Sequence, residues 1–205
     1  MAMNICPYCR VQLSRVPKRR TACPSCGRPM CVRKGQLCAE DQARAIDWGL
    51  RLQIDASSFR DAREKLSAAY GRQASVSDTV WSLMQDVLQR SSSWHERKMI
   101  YFHMARFLWE EKRDSLRLQR EAVRMDLANW KEQSDMGLLD LKRVRLRVIT
   151  AREASCPECR ALEGRLFTFD EADSAMPVPV AGCTHEKTEG RTRGWCRCVY
   201  GLSFE

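Results

Sequence analysis

Eleven cysteines, gathered into two clusters near the ends of the chain, constrain this 205-residue sequence more than any other feature. The first cluster consists of Cys6, Cys9, Cys23, Cys26, Cys31 and Cys38, and the second of Cys156, Cys159, Cys183, Cys196 and Cys198. Residues 39–155 contain no cysteine. A secreted disulfide scaffold is usually shorter and has an even number of cysteines, so this pattern favours metal binding in a reducing compartment.

The apolar stretches of the sequence show no sign of export or membrane insertion. Residues 1–9 lack the apolar core of a secretory signal peptide. The most apolar stretch, residues 99–109, contains His103 and Arg106. It is also far short of the ~20 residues that a transmembrane helix requires. We therefore expect a cytoplasmic protein with no membrane partner.

Two cysteine knuckles open the N-terminal cluster. Residues 6–9 read Cys-Pro-Tyr-Cys and residues 23–26 read Cys-Pro-Ser-Cys, separated by 13 residues. This arrangement resembles the zinc-ribbon class, in which two tight cysteine turns face each other across short strands and present four sulfurs tetrahedrally. The predicted ligands are Cys6, Cys9, Cys23 and Cys26. Either Cys31 or Cys38 could replace one of them.

A redox function is the alternative for the first knuckle. Cys-Pro-Tyr-Cys is also the active-site pattern of glutaredoxin-like enzymes, which need a buried strand before the motif and a helix after it. Only five residues precede Cys6, and the chain after Cys9 leads to a second knuckle, so the metal site is favoured. For Cys31 and Cys38 the sequence leaves three roles open: metal ligands, buried thiols or a redox pair.

The positive charge of the chain is concentrated near its N-terminus. Residues 1–38 contain eight Lys and Arg and no Asp or Glu, whereas the whole chain has a formal net charge of +9. The gap between the knuckles is predicted to form a basic loop, a surface that attracts phosphate groups and acidic proteins. The residues predicted to contact nucleic acid or an acidic partner are Arg15, Lys18, Arg19 and Arg20.

The cysteine-free middle of the chain, residues 39–140, has the apolar periodicity of helices. Ser77 or Asp78 is the predicted cap of one helix and Ser93 of the next, and a third is predicted to begin near Asp114. The predicted apolar faces consist of Val80, Met84, Val87 and Leu88; of Ile100, Met104, Phe107 and Leu108; and of Leu118, Ala122 and Met125. We expect a helical bundle that could bind a protein partner. Its core or interface tryptophans are Trp81, Trp94, Trp109 and Trp130.

After the helical segment, the spacing of the apolar residues changes from that of a helix to strict alternation. Val144, Leu146 and Val148 alternate with three arginines, which predicts a strand with one apolar face. The arginine face is either solvated or a site for an acidic partner. The sequence thus divides into three predicted modules, residues 1–38, 39–140 and 141–205.

The third module carries the most distinctive motif of the chain. In order, it contains a Cys-Pro-Glu-Cys knuckle (156–159), Leu162, Gly164, Phe167, a Pro-Val-Pro stretch (177–179), Cys183, His185 and a Cys-Arg-Cys sequence (196–198). This order resembles the C-terminal signature of the phage head morphogenesis family (Mu F-like minor capsid proteins). The same arrangement, with Thr-His after Cys183 and Gly-Trp before the Cys-Arg-Cys sequence, also looks like bacterial zinc-ribbon proteins, for which the resemblance implies no function.

The resemblance to the phage family implies a set of metal ligands in this module. These are Cys156, Cys159, His185 and one or both of Cys196 and Cys198. In this chain, however, ten residues separate His185 from Cys196, more than in the family, and Cys183 precedes the histidine. The alternative ligand set therefore has Cys183 in place of His185.

An enzymatic metal site is the remaining alternative. If three cysteines bound the second metal, a water could take the fourth position, with Glu186 beside His185 as a base, loosely as in zinc deaminases. Those enzymes carry the glutamate two residues after a ligand histidine, on a helix, whereas Glu186 is adjacent to His185 in a predicted loop. A structural site is therefore favoured.

The sequence predicts an α+β protein with an N-terminal zinc ribbon, an α-helical middle and a small C-terminal zinc-bound α+β module. We expect two Zn²⁺ ions per chain, because soft thiolates favour zinc, and the spacing of the C-terminal cysteines leaves an iron–sulfur cluster as the alternative. The predicted function is that of an adaptor whose basic ribbon contacts nucleic acid or an acidic protein. The alternatives are a phage-derived assembly protein and a metal-dependent hydrolase.

Overall fold

A computed structural model describes residues 4–15 and 17–204 of the chain and has the predicted α+β class. The chain forms two compact units, one ending at Gln85 and the other beginning at Asp86. The division into three modules stays a prediction. None of the described helices combines the length and the apolar character that a membrane span requires.

The first unit opens with the two knuckles and a three-stranded antiparallel sheet. Its strands are β1 (Thr21–Ala22), β2 (Pro29–Arg33) and β3 (Gln36–Ala39), in that spatial order. Lys34 and Gly35 form the two-residue turn between β2 and β3. Both have positive φ, 50° and 74°, as the turns that match the twist of a hairpin require. The knuckles and the sheet together give the ribbon architecture that the sequence predicted.

Three helices follow: α1 (Glu40–Leu52), α2 (Ala56–Tyr70) and α3 (Val76–Arg90). The prediction that Ser77 or Asp78 caps α3 is wrong. Ser75 is the cap: its Oγ accepts the Asp78 N–H at 3.0 Å, and the Asp78 carboxylate accepts the Ser75 N–H at 3.1 Å. This reciprocal pair satisfies two backbone donors at the start of the helix, so the helix begins earlier than predicted.

In the second unit, α4 (Trp94–Glu110) and α5 (Leu116–Asp135) pack as an antiparallel pair. Lys98 Nζ, near the start of α4, lies 2.7 Å from Asp126 Oδ2 in the second half of α5. Ser93 caps α4 as predicted, with its Oγ accepting the Glu96 N–H at 3.2 Å. All of the side chains predicted to form the apolar faces of α3, α4 and α5 are buried or half-buried.

The tryptophans are distributed differently from the prediction. Among those predicted, Trp109 is buried and Trp81, Trp94 and Trp130 are half-buried. Trp48 on α1 and Trp195 near the C-terminus, which the sequence did not single out, are more deeply buried than Trp109, with 2% and 4% of their surface exposed against 7%.

A second antiparallel sheet forms the C-terminal part of the chain. Its strands are β4 (Val144–Ile149), β5 (Leu166–Phe167) and β6 (Val199–Phe204), in the order β5-β4-β6, with helices α6 (Pro157–Arg160) and α7 (Phe169–Ala175) between β4 and β6. Val144, Leu146 and Val148 of β4 are buried as predicted. Because β6 follows directly on Cys198 and pairs with β4, the sheet fixes the position of the Cys-Arg-Cys sequence.

Candidate metal centres

Four cysteines of the two knuckles meet in the first unit. The Sγ atoms of Cys6, Cys9, Cys23 and Cys26 all lie within 4.8 Å of one another. The Cys6–Cys26 Sγ distance is 3.9 Å and the Cys9–Cys23 distance is 3.8 Å. Cys6 and Cys23 are buried, whereas Cys9 and Cys26 are exposed. The group could therefore hold a metal ion at the edge of the ribbon.

The two knuckles have the same backbone geometry. In the first, the Cys6 N–H donates to the Val11 carbonyl at 2.9 Å, and the Arg10 N–H donates to the Cys6 carbonyl at 3.1 Å. The second knuckle repeats both bonds at the same offsets from Cys23. The residue after each knuckle has positive φ, 65° at Arg10 and 70° at Gly27. The matched turns direct both pairs of thiols towards one point.

The four thiols of the first group shift one another's pKa values. Burial acts to raise the pKa of Cys6, but the N–H groups of Cys9 and Tyr8 and the neighbouring thiols lower it more, to about 6. The pKa of Cys26 is raised to about 11, because burial and hydrogen bonds with the other thiols outweigh a bond from the Arg28 backbone. Thiols crowded in this way cannot all ionise without a cation among them.

Tyr8 connects the first knuckle to the helix that follows the sheet. Its hydroxyl oxygen accepts the Glu40 N–H at 3.1 Å, at the start of α1. The Arg28 guanidinium lies 5.3 Å from the centre of the Tyr8 ring, within the range of a cation–π contact. This tyrosine therefore packs locally between the two knuckles and α1.

The predicted contact residues Arg15, Lys18, Arg19 and Arg20 are all exposed in the stretch between the knuckles. Arg20 forms an ion pair with Glu40, which leaves 67% of its side chain accessible. Val16, which belongs to the predicted basic loop, lies outside the described residues. The charges of this loop face solvent, where a polyanion could reach them.

Cys31 and Cys38 lie apart from the first thiol group. They are directly opposite each other on β2 and β3, and both are buried. They pack against Ala43 of α1. The Cys38 Sγ lies 3.5 Å from the Cys31 carbonyl oxygen, so it can donate a hydrogen bond to it. Burial raises the pKa of Cys38, which keeps it protonated at neutral pH.

Replacing Cys38 with alanine is expected to leave the zinc content of the chain unchanged. The substitution removes a buried thiol that is not among the four grouped sulfurs, so its cost should be that of a small core truncation, about 1 kcal/mol. Zinc analysis together with denaturant unfolding tests this. Loss of one zinc ion per chain from Cys38→Ala would instead make Cys38 a ligand.

Five buried cysteines form a second cluster near the C-terminus. The Sγ atoms make two overlapping groups, one of Cys156, Cys159 and Cys183 and the other of Cys159, Cys196 and Cys198. Within each group all atoms lie within 4.8 Å of one another. Measured pairs are 3.9 Å for Cys156–Cys183, 3.7 Å for Cys159–Cys183 and 4.0 Å for Cys159–Cys196. Cys159 is common to both groups.

Helix α6 and two loops position these five thiols. Cys156 is the N-cap of α6 and Cys159 lies within it. The Thr184 N–H lies 3.5 Å from the Cys156 Sγ and the Val180 N–H lies 3.2 Å from the Cys196 Sγ. Backbone N–H groups aimed at sulfur stabilise the thiolate, the form of cysteine that binds metal.

In the second cluster, as in the first, one thiol has a lowered pKa and another has a raised pKa. Burial raises the pKa of Cys156, but backbone bonds from Thr184 and Cys159 lower it more, to about 7. The pKa of Cys159 is raised, mainly by burial and also by its thiol neighbours. The cluster can hold one cysteine as a thiolate, and the ionisation of further cysteines requires a compensating cation.

His185 lies outside both groups of thiols in the part of the chain described. Its Nε2 is 3.3 Å from Oε1 of Glu186, and the Glu186 carboxylate also pairs with Arg106 at 3.5 Å and with Arg197. Cys183, the predicted alternative to His185, is the residue that the fold brings to Cys156 and Cys159.

Gly194 is a site residue that the sequence analysis missed. Its N–H donates to the Cys183 carbonyl at 2.7 Å, and the Trp195 N–H donates to the His185 carbonyl at 2.7 Å. A Cβ at Gly194 would lie 2.1 Å from that His185 oxygen, so the two segments approach this closely only because residue 194 has no side chain. The Gly-Trp pair before Cys-Arg-Cys was the available signal.

No family model matches this chain, and neither a curated protein nor a solved structure was found to be similar to it. The resemblance to phage head morphogenesis proteins therefore stays a prediction. The geometry shows that the N-terminal and the C-terminal cysteine clusters could each hold a metal ion.

Proposed function

We propose that this chain is a zinc-binding adaptor whose basic N-terminal ribbon contacts nucleic acid. The observation that carries the proposal is the convergence of four thiols beside an exposed loop of Arg and Lys, in a segment with no acidic residue. In this proposal one zinc ion holds the ribbon and a second holds the C-terminal cluster, and neither centre performs catalysis.

The distances between the sulfurs support zinc rather than an iron–sulfur cluster. Zn–S bonds of about 2.3 Å in a tetrahedron place the sulfurs about 3.8 Å apart. The closest sulfur pairs lie 3.7–4.0 Å apart, and all pairs within each group lie within 4.8 Å. An iron–sulfur cluster interposes several iron and sulfide atoms and therefore keeps its cysteine sulfurs farther apart.

The surroundings of Glu186 support a structural role for the second centre. A general base near a metal-bound water needs a pKa close to neutral pH. Burial acts to raise the pKa of Glu186, but Arg197, Arg106 and His185 lower it below the ordinary value for glutamate. The carboxylate is thereby held in ion pairs and is a weak base.

The electrostatics of the first 38 residues support a polyanionic partner. A zinc ion with four thiolates has a net charge of −2, so eight basic residues leave about +6 on the loaded ribbon. Contacts of this kind neutralise phosphates and release counterions, which makes affinity strongly dependent on salt.

Replacing Arg15, Lys18, Arg19 and Arg20 with alanine is expected to abolish most of the affinity for an oligonucleotide. Each phosphate contact contributes about 0.7–0.9 to the slope of log affinity against log salt, so four lost contacts should flatten it by roughly 3. Fluorescence anisotropy with single-stranded and duplex oligonucleotides over a salt series measures both quantities. Arg20 should contribute least, because Glu40 already pairs with it.

A matched control comes from α2 of the same unit. The pair Lys18→Ala/Arg19→Ala is compared with Arg60→Ala/Lys65→Ala, which removes the same charges from exposed positions. Only the first pair should weaken binding. Unchanged oligonucleotide affinity in the fourfold variant would contradict the proposal. Salt-sensitive binding to polyglutamate without binding to oligonucleotides would indicate that the partner is an acidic protein.

A further inference from the structure

Arg193 is a buried arginine with too few hydrogen-bond partners. Only 8% of its surface is exposed. Its Nη2 donates a hydrogen bond to the Val180 carbonyl at 3.0 Å. Its Nε and Nη1 are shielded from solvent and have no hydrogen-bond partner among the described residues. A guanidinium stays charged in proteins, so this position requires a nearby negative charge to be stable.

Hydrogen bonds connect Arg193 to the second cysteine cluster. Val180, which accepts the bond from Arg193, directs its own N–H at the Cys196 Sγ at 3.2 Å. The residue after Arg193, Gly194, donates its N–H to the Cys183 carbonyl at 2.7 Å. The backbone of one residue, Val180, therefore links the guanidinium to a thiol of the candidate centre.

The charges around Arg193 include these thiols. Burial lowers the pKa of Arg193, whereas Asp114 and, when they are ionised, Cys196 and Cys183 raise it, and Arg120 lowers it further. Asp114 is exposed, and its carboxylate accepts the N–H of the first residue of α5 at 3.1 Å. The buried groups that can become anions near Arg193, when a metal binds, are therefore the Cys196 and Cys183 thiols.

We propose that Arg193 is the buried counter-charge and positioning residue of the C-terminal zinc–thiolate centre. Its guanidinium balances the negative charge of the thiolates, and its bond to Val180 holds the N–H that faces Cys196. This inference rests on the proposed zinc function. A centre with four thiolates keeps a charge of −2 after binding Zn²⁺, and a low dielectric strengthens its attraction to one arginine.

The role of a counter-charge differs from that of an ordinary packing residue in one measurable respect. Without metal most of the thiols are protonated, and Arg193 is then a buried charge with too little compensation. Removing that charge should weaken zinc binding yet leave the zinc-free chain as stable as before or more stable. Replacing an ordinary packing residue would weaken zinc binding and would also destabilise the zinc-free chain.

The test compares four variants of the full-length chain. Arg193→Met keeps much of the length without the charge, and Arg193→Lys keeps the charge. Asp114→Asn removes the exposed acidic neighbour, and Lys187→Met removes an exposed positive charge from the segment between Cys183 and Cys196. Zinc affinity is measured by competition with a chelator, and the zinc-free proteins are unfolded with denaturant. A background with Cys9→Ser and Cys26→Ser restricts binding to the C-terminal centre.

Arg193→Met should lower the affinity of the C-terminal centre by about 10–100-fold, as loss of outer-shell partners of metal sites does. The zinc-free unfolding midpoint should not fall, Arg193→Lys should restore most of the affinity, and Lys187→Met should change neither. Unaltered affinity in Arg193→Met, or an equal loss in Asp114→Asn, overturns the inference while leaving two-zinc binding intact. A wild-type chain that binds no zinc overturns the proposed function as well.

Discussion

Replacing Cys23 with serine is expected to lower the zinc content from two ions per chain to one and to unfold the N-terminal ribbon. The reason is the size of the ribbon's core. The buried cluster at the knuckles consists of Cys6, Leu13, Cys23 and Met30, so half of its members are thiols. Structural zinc contributes roughly 10 kcal/mol or more to small folds of this kind, and apolar burial here cannot substitute for it.

Hydrogen exchange combined with zinc analysis measures this effect. Amides of β1 and β2 should lose their protection in Cys23→Ser, while those of β4 and β6 keep it. Ser25→Ala is the control, because it changes an exposed residue within the same knuckle. A Cys23→Ser protein with intact protection in β2 would mean that the ribbon folds without its metal.

The second large effect is expected from Cys159→Ser, which should strongly weaken zinc binding at the C-terminal centre. Cys159 is the thiol that both groups share, so its replacement removes a ligand from each of them. If four ligands together give a zinc-binding free energy of about 10–16 kcal/mol, losing one ligand should weaken zinc binding by at least about a hundredfold. All five thiols also lie in the core that contains Leu146 and Tyr200, so the second unit should become less stable.

The matched variants are Cys156→Ser and Cys198→Ser. Each removes a thiol that belongs to only one group and leaves the other group, with Cys159, intact. We expect both to retain the zinc ion, with a smaller loss of affinity than in Cys159→Ser. Equal losses in all three variants would contradict a central role for Cys159.

The sequence predicted those parts of the fold that depend on local patterns. The alternation at Val144, Leu146 and Val148 identified β4, and the apolar spacing from Ile100 to Leu108 identified α4, because each pattern reports which side chains face the core. The two knuckles were predictable for the same reason. A Cys-Pro-x-Cys turn encodes its own geometry, and both knuckles make the same backbone bonds.

Features that depend on tertiary contacts could not be predicted in this way. The choice between Cys183 and His185 depends on the path of the loop, which Gly194 fixes through contacts with residues about ten positions away. The cap of α3 was misplaced because Ser75, Ser77 and Asp78 all have capping side chains. Only the reciprocal bond between Ser75 and Asp78 distinguishes them.

The most direct test of this account is the metal content and coordination of the purified full-length chain, by elemental analysis and X-ray absorption. The account predicts two zinc ions per chain, each surrounded by sulfur alone at about 2.3 Å. Absence of stoichiometric metal, iron in place of zinc, or an oxygen ligand on one ion would contradict it.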